Sequence, residues 1–123
     1  MTTTMPHEPD CHRGDVVLVL FPHADLRRAK PRPAVVIQAD NLDAGLPQVI
    51  VAMITSRLFR ADHSSRVVVR LASSAGHQSG LLADSVVMTD NLATVGLFAI
   101  SRVIGRLPMH EIDGALRHTL GLT

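Results

Sequence analysis

Arg32 stands between two prolines and directly before an apolar run, in the segment Lys30-Pro31-Arg32-Pro33-Ala34. Proline fixes its own φ and keeps the preceding residue out of the helical region, so Arg32 is predicted to lie on stiff, extended backbone at the mouth of a strand. A guanidinium held in this way could bind an anionic ligand. The alternative is a surface charge that simply precedes a strand, and this segment alone favours that alternative.

Basic residues are concentrated in two short segments of a chain whose net charge is only +1. They are Arg27, Arg28, Lys30 and Arg32 in the first segment, and Arg57, Arg60, Arg66 and Arg70 in the second. Two such loops on a near-neutral body could bind phosphate, because arginine grips it through two parallel hydrogen bonds. Arginines also collect in exposed loops that bind nothing, and composition leaves both interpretations open. Aromatic residues make up 2% of the chain, which argues against a broad stacking platform for single strands.

Length and composition predict one soluble domain. The chain has 123 residues, no apolar run of membrane-spanning length and no leader pattern at its start. Cys11 is the single cysteine, which excludes an internal disulfide and predicts a cytoplasmic protein. His7, Cys11 and His12 lack a convincing fourth ligand, so neither a metal nor another cofactor is expected. Residues 1–12 are expected to form a flexible tail and residues 13–123 the domain.

Short β-branched runs bounded by glycine and proline predict a mainly β fold. The predicted strands are residues 16–21, 34–37, 48–54, 66–71, 85–89 and 101–107. Residues 40–45 are predicted to form one helical turn, residues 72–84 a loop, and residues 93–100 stay unassigned.

A single helix is predicted at the end of the chain. Pro108 suits the first helical position, and Gly121 suits the end. Met109, Ile112, Leu116 and Leu120 fall on one helical face between them. Many short strands with one terminal helix predict a small, strongly bent antiparallel barrel.

Five short motifs occur in a fixed order along the chain. They are Arg13-Gly14-Asp15-Val16, Arg32-Pro33-Ala34-Val35-Val36-Ile37, Ile54-Thr55-Ser56, Ser85-Val86-Val87-Met88-Thr89-Asp90-Asn91 and Ile104-Gly105-Arg106-Leu107. Each is weak alone, but the set resembles the MazF/PemK family of toxin endoribonucleases, also called mRNA interferases. The resemblance covers the chain from about residue 13 to its end.

The resemblance implies a small SH3-like barrel of the MazF/PemK/CcdB type that forms a homodimer. It implies metal-independent cleavage of single-stranded RNA, that is mRNA, at short sequences. It also implies a cognate antitoxin whose C-terminal segment occupies the RNA groove, and no membrane partner.

The family's catalytic arginine and threonine correspond to Arg32 and Thr55. Attack of a ribose 2′-hydroxyl on its own phosphate gathers negative charge on the phosphoryl oxygens, so fixed cationic and hydroxyl donors are the main requirement. Arg32 would stabilise that charge and donate a proton, and Thr55 and Ser56 would donate to the same phosphate. The alternative for Thr55 and Ser56 is a turn at a strand end with both hydroxyls bonded to backbone.

Other positions are expected to contact RNA. Asp90 matches an acidic position that acts on or positions RNA in some family members, although it could equally be a turn or capping aspartate. The residues expected to track the RNA backbone are Arg27, Arg28, Lys30, Arg57 and Arg60.

Three departures from the family pattern bear on the cleavage sequence and the catalytic strength, and two other functions stay open. The first loop is more basic than usual, Ala93 replaces an arginine, and Met88 replaces another that some members carry. A catalytically weakened RNA- or antitoxin-binding relative is therefore one alternative. A CcdB-like gyrase poison is the other, although the C-terminal end lacks a large aromatic anchor.

Overall fold

The predicted β-branched runs pair into one antiparallel sheet. The computed structural model of the chain describes residues 10–20 and 30–123. The strands are β1 Asp15–Leu20, β2 Pro31–Val36, β3 Gln48–Thr55, β4 Arg66–Val69, β5 Ser85–Gly96 and β6 Ile100–Arg106. They lie in the order β4-β5-β3-β2-β1-β6. The predicted mainly β fold with a C-terminal helix is therefore confirmed.

Side chains of the central strands alternate between two apolar clusters, one on each face of the sheet. Val16 of β1 and Val35 of β2 belong to the first cluster, which the C-terminal helix covers. Val17 and Ala34, their neighbours in sequence, belong to the second cluster. Because adjacent side chains of a strand point to opposite faces, an unbroken apolar run is what a strand buried on both faces requires.

The fifth strand is much longer than the predicted segment 85–89. Ala52 pairs with Leu92 and Met53 with Met88, so the three residues between Met88 and Leu92 have no partner on β3. Asp90 and Asn91 are typical of turns, and here they bend the strand at this bulge without ending it.

The two α-helices of the described residues begin and end at local sequence signals. The prediction of a loop over residues 72–84 is wrong, because α1 spans Ser74–Ser79. Ser73 caps it by accepting a hydrogen bond from the Gly76 amide, and Gly80 ends it in the left-handed conformation. The predicted C-terminal helix is present as α2, His110–Leu120, which starts two residues after Pro108 and ends at Gly121.

Two other segments complete the fold. The predicted helical turn over residues 40–45 is wrong, since these residues form a turn and a bend without helix. Cys11 is half-buried and packs against the second cluster, so contact with the domain extends at least to this residue. The tail boundary at residue 12 stays a prediction, and residues 1–9 lie outside the described part. Within that part, neither helix is long and apolar enough to cross a membrane.

Candidate active site

An open groove of about 530 Å³ lies where β2, β3 and β6 approach the segment that follows α1. It gathers residues from distant parts of the chain, and its polar lining residues are Arg32, Thr55, Ser56, Arg57, Ser85 and Arg102. Four of the predicted site residues therefore meet in one place, and Arg102 is an addition that the sequence did not indicate.

Arg32 is the second residue of β2, whereas the predicted strand began only at Ala34. The strand begins at Pro31, and Arg32 pairs with Val19 of β1. On the other side, the ladder between β2 and β3 runs from Val36–Val51 to Ala34–Met53. Continuing the same register by two residues places Arg32 opposite Thr55, so the two side chains lie on the same face of the sheet.

Thr55 is the last residue of β3, and it both lines the groove and holds a turn through its hydroxyl. The Thr55 Oγ1 accepts a hydrogen bond from the Arg57 amide at 3.2 Å. The strand-end turn anticipated as the alternative to catalysis is therefore present. Accepting that bond leaves the hydroxyl proton of Thr55 available to a ligand in the groove. Ser56 follows as an exposed residue of the same turn.

The groove carries uncompensated positive charge. Within residues 10–20 and 30–123, no carboxylate forms an ion pair with Arg32, Arg57 or Arg102. None of the described histidines lines the groove either. Guanidinium and hydroxyl donors are thus the groups that this groove offers to a ligand, and they suit an anion such as phosphate.

One wall of the groove is apolar and firmly held. Leu81, Leu82 and Ala83 form it, and Leu82 is 97% exposed. At one end Gly80 passes so close to β6 that a Cβ would lie 2.0 Å from the carbonyl oxygen of Ile104. At the other end the Asp84 Oδ1 accepts a hydrogen bond from the Leu71 amide at 2.7 Å.

Asp90 does not line the groove. Its carboxylate accepts two hydrogen bonds from Arg66, at 2.9 Å from Nε and 2.6 Å from Nη2. These bonds lower the pKa of Asp90 below its ordinary value. Arg66 also donates from Nη1 to the Arg60 carbonyl oxygen at 2.8 Å, which ties the second basic segment to the bulge of β5. In this position Asp90 is a structural anchor for that segment.

Two further basic residues with an expected role, Lys30 and Arg60, lie outside the groove lining. Lys30 is exposed immediately before β2. Arg60 lies over the Phe59 ring, 5.7 Å from its centroid, and its Nη1 is 3.9 Å from the Met88 sulfur. Arg27 and Arg28 lie outside the described residues.

The chain matches a protein family over most of its length. Residues 12–120 match the sequence profile of the PemK-like, MazF-like toxins of type II toxin–antitoxin systems. The Mycobacterium tuberculosis protein named endoribonuclease MazF6 is 34% identical over 107 residues, which are 84% of this chain and 90% of that protein. Endoribonuclease MazF2 of Mycobacterium bovis matches with the same identity and coverage. The chain therefore belongs to the MazF-like toxin family.

Solved structures show the same fold. A mycobacterial endoribonuclease in complex with its cognate antitoxin superposes with a TM-score of 0.71 at 21% identity, over 93% of this chain and 98% of that one. MazF in a MazE–MazF complex from Deinococcus radiodurans gives 0.70 at 18% identity, over 92% and 98%. By its homology with the curated relatives, this protein is an endoribonuclease of the MazF type.

Proposed function

We propose that this toxin cleaves single-stranded mRNA at short sequences without a metal ion, and that the reaction takes place in the groove between Arg32 and Thr55. The observation that carries the proposal is the convergence of Arg32, Thr55, Ser56 and Arg57 on one groove. None of the carboxylates in the described residues forms an ion pair with these two arginines. An RNA phosphate is the ligand that such a donor set favours.

The chemistry needs electrostatic stabilisation above all. The 2′-hydroxyl releases its proton to solvent as its oxygen bonds to phosphorus. The bond to the 5′-oxygen breaks, and that oxygen takes a proton from Arg32, which regains it from solvent. The products are a 2′,3′-cyclic phosphate and a 5′-hydroxyl. Arg32 stabilises the charge on the non-bridging oxygens and donates a proton, and the Thr55 hydroxyl donates to the same phosphate. Each donor of this kind is worth roughly 3–4 kcal/mol of barrier. Because β2 and β3 hold both groups, little reorganisation is needed during the reaction.

Asp90 has a positioning role in this proposal. A carboxylate with a lowered pKa that accepts two hydrogen bonds from Arg66 is a poor proton acceptor. It acts through Arg66 on the segment that carries Arg57 and Arg60.

Further basic residues follow the RNA away from the cut. Arg57 lines the groove, Lys30 directly precedes β2, and Arg60 follows in the segment after β3. Arg27 and Arg28 are assigned to the same role from the sequence. Each phosphate contact releases counterions, so cleavage at subsaturating RNA concentration should weaken steeply with salt.

The same groove is proposed to bind the C-terminal segment of an antitoxin. Two structural neighbours were crystallised with their antitoxins, which supports a partner of that kind. An acidic segment with apolar residues would fit three arginines facing an apolar wall. RNA and antitoxin would then compete for one site.

A homodimer is also proposed, through an apolar patch at Leu46 and Phe98. The two side chains are 60% and 86% exposed. They lie on adjacent turns, because the Leu97 amide donates to the Pro47 carbonyl oxygen at 2.9 Å. Sedimentation of the Phe98→Asp variant as a monomer would support this interface, and an unchanged dimer would exclude it.

The proposed reaction is tested with a long single-stranded RNA in EDTA buffer. The parent protein should produce discrete cuts, and the products should carry 2′,3′-cyclic phosphate and 5′-hydroxyl ends. An oligonucleotide that spans one mapped cut, with a single 2′-deoxy nucleotide on its 5′ side, should resist cleavage while its all-ribose counterpart is cut. Cleavage of the deoxy substrate at the same bond would overturn the mechanism, and cuts that appear only with added metal would overturn its metal independence.

A further inference from the structure

Arg102 and Leu82 share the groove with Arg32, yet the proposed reaction uses neither of them. Arg102 lies on β6, and its backbone pairs with Leu18 of β1. Leu82 lies on the segment after α1. Both line the same groove as Arg32 and Thr55, so a ligand that occupies the reaction centre extends towards them.

The charge of Arg102 is available for a ligand. Its side chain is exposed, and among the described groups it has neither an ion pair nor a side-chain hydrogen bond. Arg106 on the same strand differs, because its Nε lies 3.4 Å from Asp15 Oδ1. An exposed guanidinium in a groove that already holds two others is unfavourable by repulsion, and an anionic ligand with several charges relieves that cost.

The exposure of Leu82 does not come from an unsupported loop. The Leu81 amide donates to Ser79 Oγ at 3.1 Å, and Asp84 accepts from the Leu71 amide. Gly80 rests against the backbone of Ile104. A leucine that is 97% exposed is thus presented by backbone anchored on both sides. Such an arrangement gains free energy once a flat apolar surface covers the side chain.

We propose that Arg102 and Leu82 form a nucleotide subsite next to the reaction centre, in which Arg102 binds the phosphate and Leu82 packs against the base of a flanking RNA residue. An RNA strand alternates charged phosphates with flat, largely apolar base faces, and this pair of side chains matches that alternation. No aromatic residue lines the groove within the described residues, so an aliphatic side chain takes the place of a stacking ring. The subsite rests on the proposed RNA cleavage at the neighbouring centre.

Binding of an uncleavable oligonucleotide tests the subsite. The probe is a single-stranded RNA that spans a mapped cut site and carries one 2′-deoxy nucleotide there, and its Kd is measured from low to high salt. Arg102→Ala should weaken binding about tenfold and reduce the magnitude of the slope of log K against log salt by about 0.7, the value for one lost phosphate contact on a single strand. Arg102→Lys should keep the slope of the parent protein.

Leu82→Ala should weaken binding roughly threefold or more without changing the salt slope, because an apolar contact releases no counterions. In cleavage assays both variants should raise KM more than they lower kcat. The matched controls are Arg117→Ala, an exposed arginine outside the groove, and Leu122→Ala, a leucine that is 60% exposed. Both controls should retain the affinity and the slope of the parent protein.

The outcomes separate the subsite from the reaction. If the parent protein cuts RNA but Arg102→Ala and Leu82→Ala match their controls, the subsite is wrong and the reaction stands. If the parent protein does not cut, the same binding series is run with a mixed-sequence single-stranded RNA. A slope that depends on Arg102 in that series supports the subsite without the reaction, and an unchanged slope rejects it.

Discussion

Arginines in two regions of this protein have opposite surroundings. Outside the groove, four described arginines pair with aspartates: Arg13 with Asp113, Arg66 with Asp90, Arg70 with Asp84, and Arg106 with Asp15. In the groove, Arg32, Arg57 and Arg102 have no such partner among the described residues. A net charge of +1 thus hides a local excess of positive charge at one site.

The difference indicates which arginines hold the fold together and which act on a ligand. A paired arginine donates its hydrogen bonds to groups within the protein, as Arg66 does to Asp90 and to the Arg60 carbonyl oxygen. An arginine of the groove that has no partner adds little to stability and keeps its donors for a ligand. Removing groove residues should therefore affect cleavage, and removing paired residues should affect stability.

The largest effect on cleavage apart from Arg32 is expected at Thr55. Thr55→Val removes the hydroxyl donor and should lower kcat by a factor of hundreds, since one such donor is worth roughly 3–4 kcal/mol. Thr55→Ser restores the hydroxyl and should recover most of the rate. Single-turnover cleavage checks both variants, and equal rates for Val and Ser would remove Thr55 from the reaction.

Gly80→Ala tests whether backbone contacts maintain the groove wall. The added Cβ would meet the Ile104 carbonyl oxygen, at a position where φ is +73°. We expect a loss of about 3 kcal/mol in the free energy of unfolding, from strain and overlap together. Gly45→Ala is the matched control, since its φ is +74° with nothing within 4 Å. Denaturant unfolding should show a clearly smaller loss for Gly45, and equal losses would mean that the contact with Ile104 contributes nothing.

Arg66 and Asp90 test the prediction that paired residues outside the groove affect stability more than cleavage. Their side chains are 20% and 35% exposed, so solvent screening keeps their coupling small in a double-mutant cycle on stability. Asp90→Asn should retain cleavage within about threefold, because it only weakens an anchor. A hundredfold loss of kcat in a fully folded Asp90→Asn protein would show that Asp90 takes part in catalysis directly.

The smallest expected effect is the pH dependence of that ion pair. Arg66 lowers the pKa of Asp90, so the carboxylate stabilises the folded state above its unfolded pKa of about 4. This stabilisation is lost as the pH falls through the lower, folded pKa. The difference in unfolding free energy between the parent protein and Asp90→Asn should be below about 1 kcal/mol, constant near neutral pH, and vanish in acid. It should be absent in an Arg66→Ala background, and a difference that grows in acid would contradict the assignment.

Most of the sheet could be predicted because its signals are local. β1, β3, β4 and the end of β2 are apolar, β-branched runs, and the C-terminal helix has its own face and end signals. The sequence failed for α1, whose Ser- and Gly-rich composition is typical of loops. Its helix is stable because Ser73 caps it and because Gly76 lets it lie against the backbone of Arg70. That contact is tertiary and leaves no periodic signal.

The grouping of candidate site residues was predictable where they lie at adjacent strand ends. Arg32 and Thr55 lie in short motifs with a family resemblance, and both line the groove. Their roles in catalysis stay a prediction. Arg102 and Leu82 carry no motif, and folding alone brings them to Arg32. Asp90 belongs to one of the motifs, but in the structure it lies at the bulge of β5 and pairs with Arg66 outside the groove.

The central claim is tested most directly by the single-turnover rate of cleavage in EDTA for Arg32→Ala and Arg66→Ala, each compared with the parent protein. Each variant removes one arginine, and urea unfolding of the same samples serves as the control for folding. Arg32→Ala should cleave hundreds of times more slowly, for a loss of roughly 3–4 kcal/mol, with its stability unchanged. Arg66→Ala should lose stability and cleave within about threefold of the parent rate. Equal rates for the parent protein and Arg32→Ala would contradict the account, as would a greater loss of cleavage in Arg66→Ala than in Arg32→Ala.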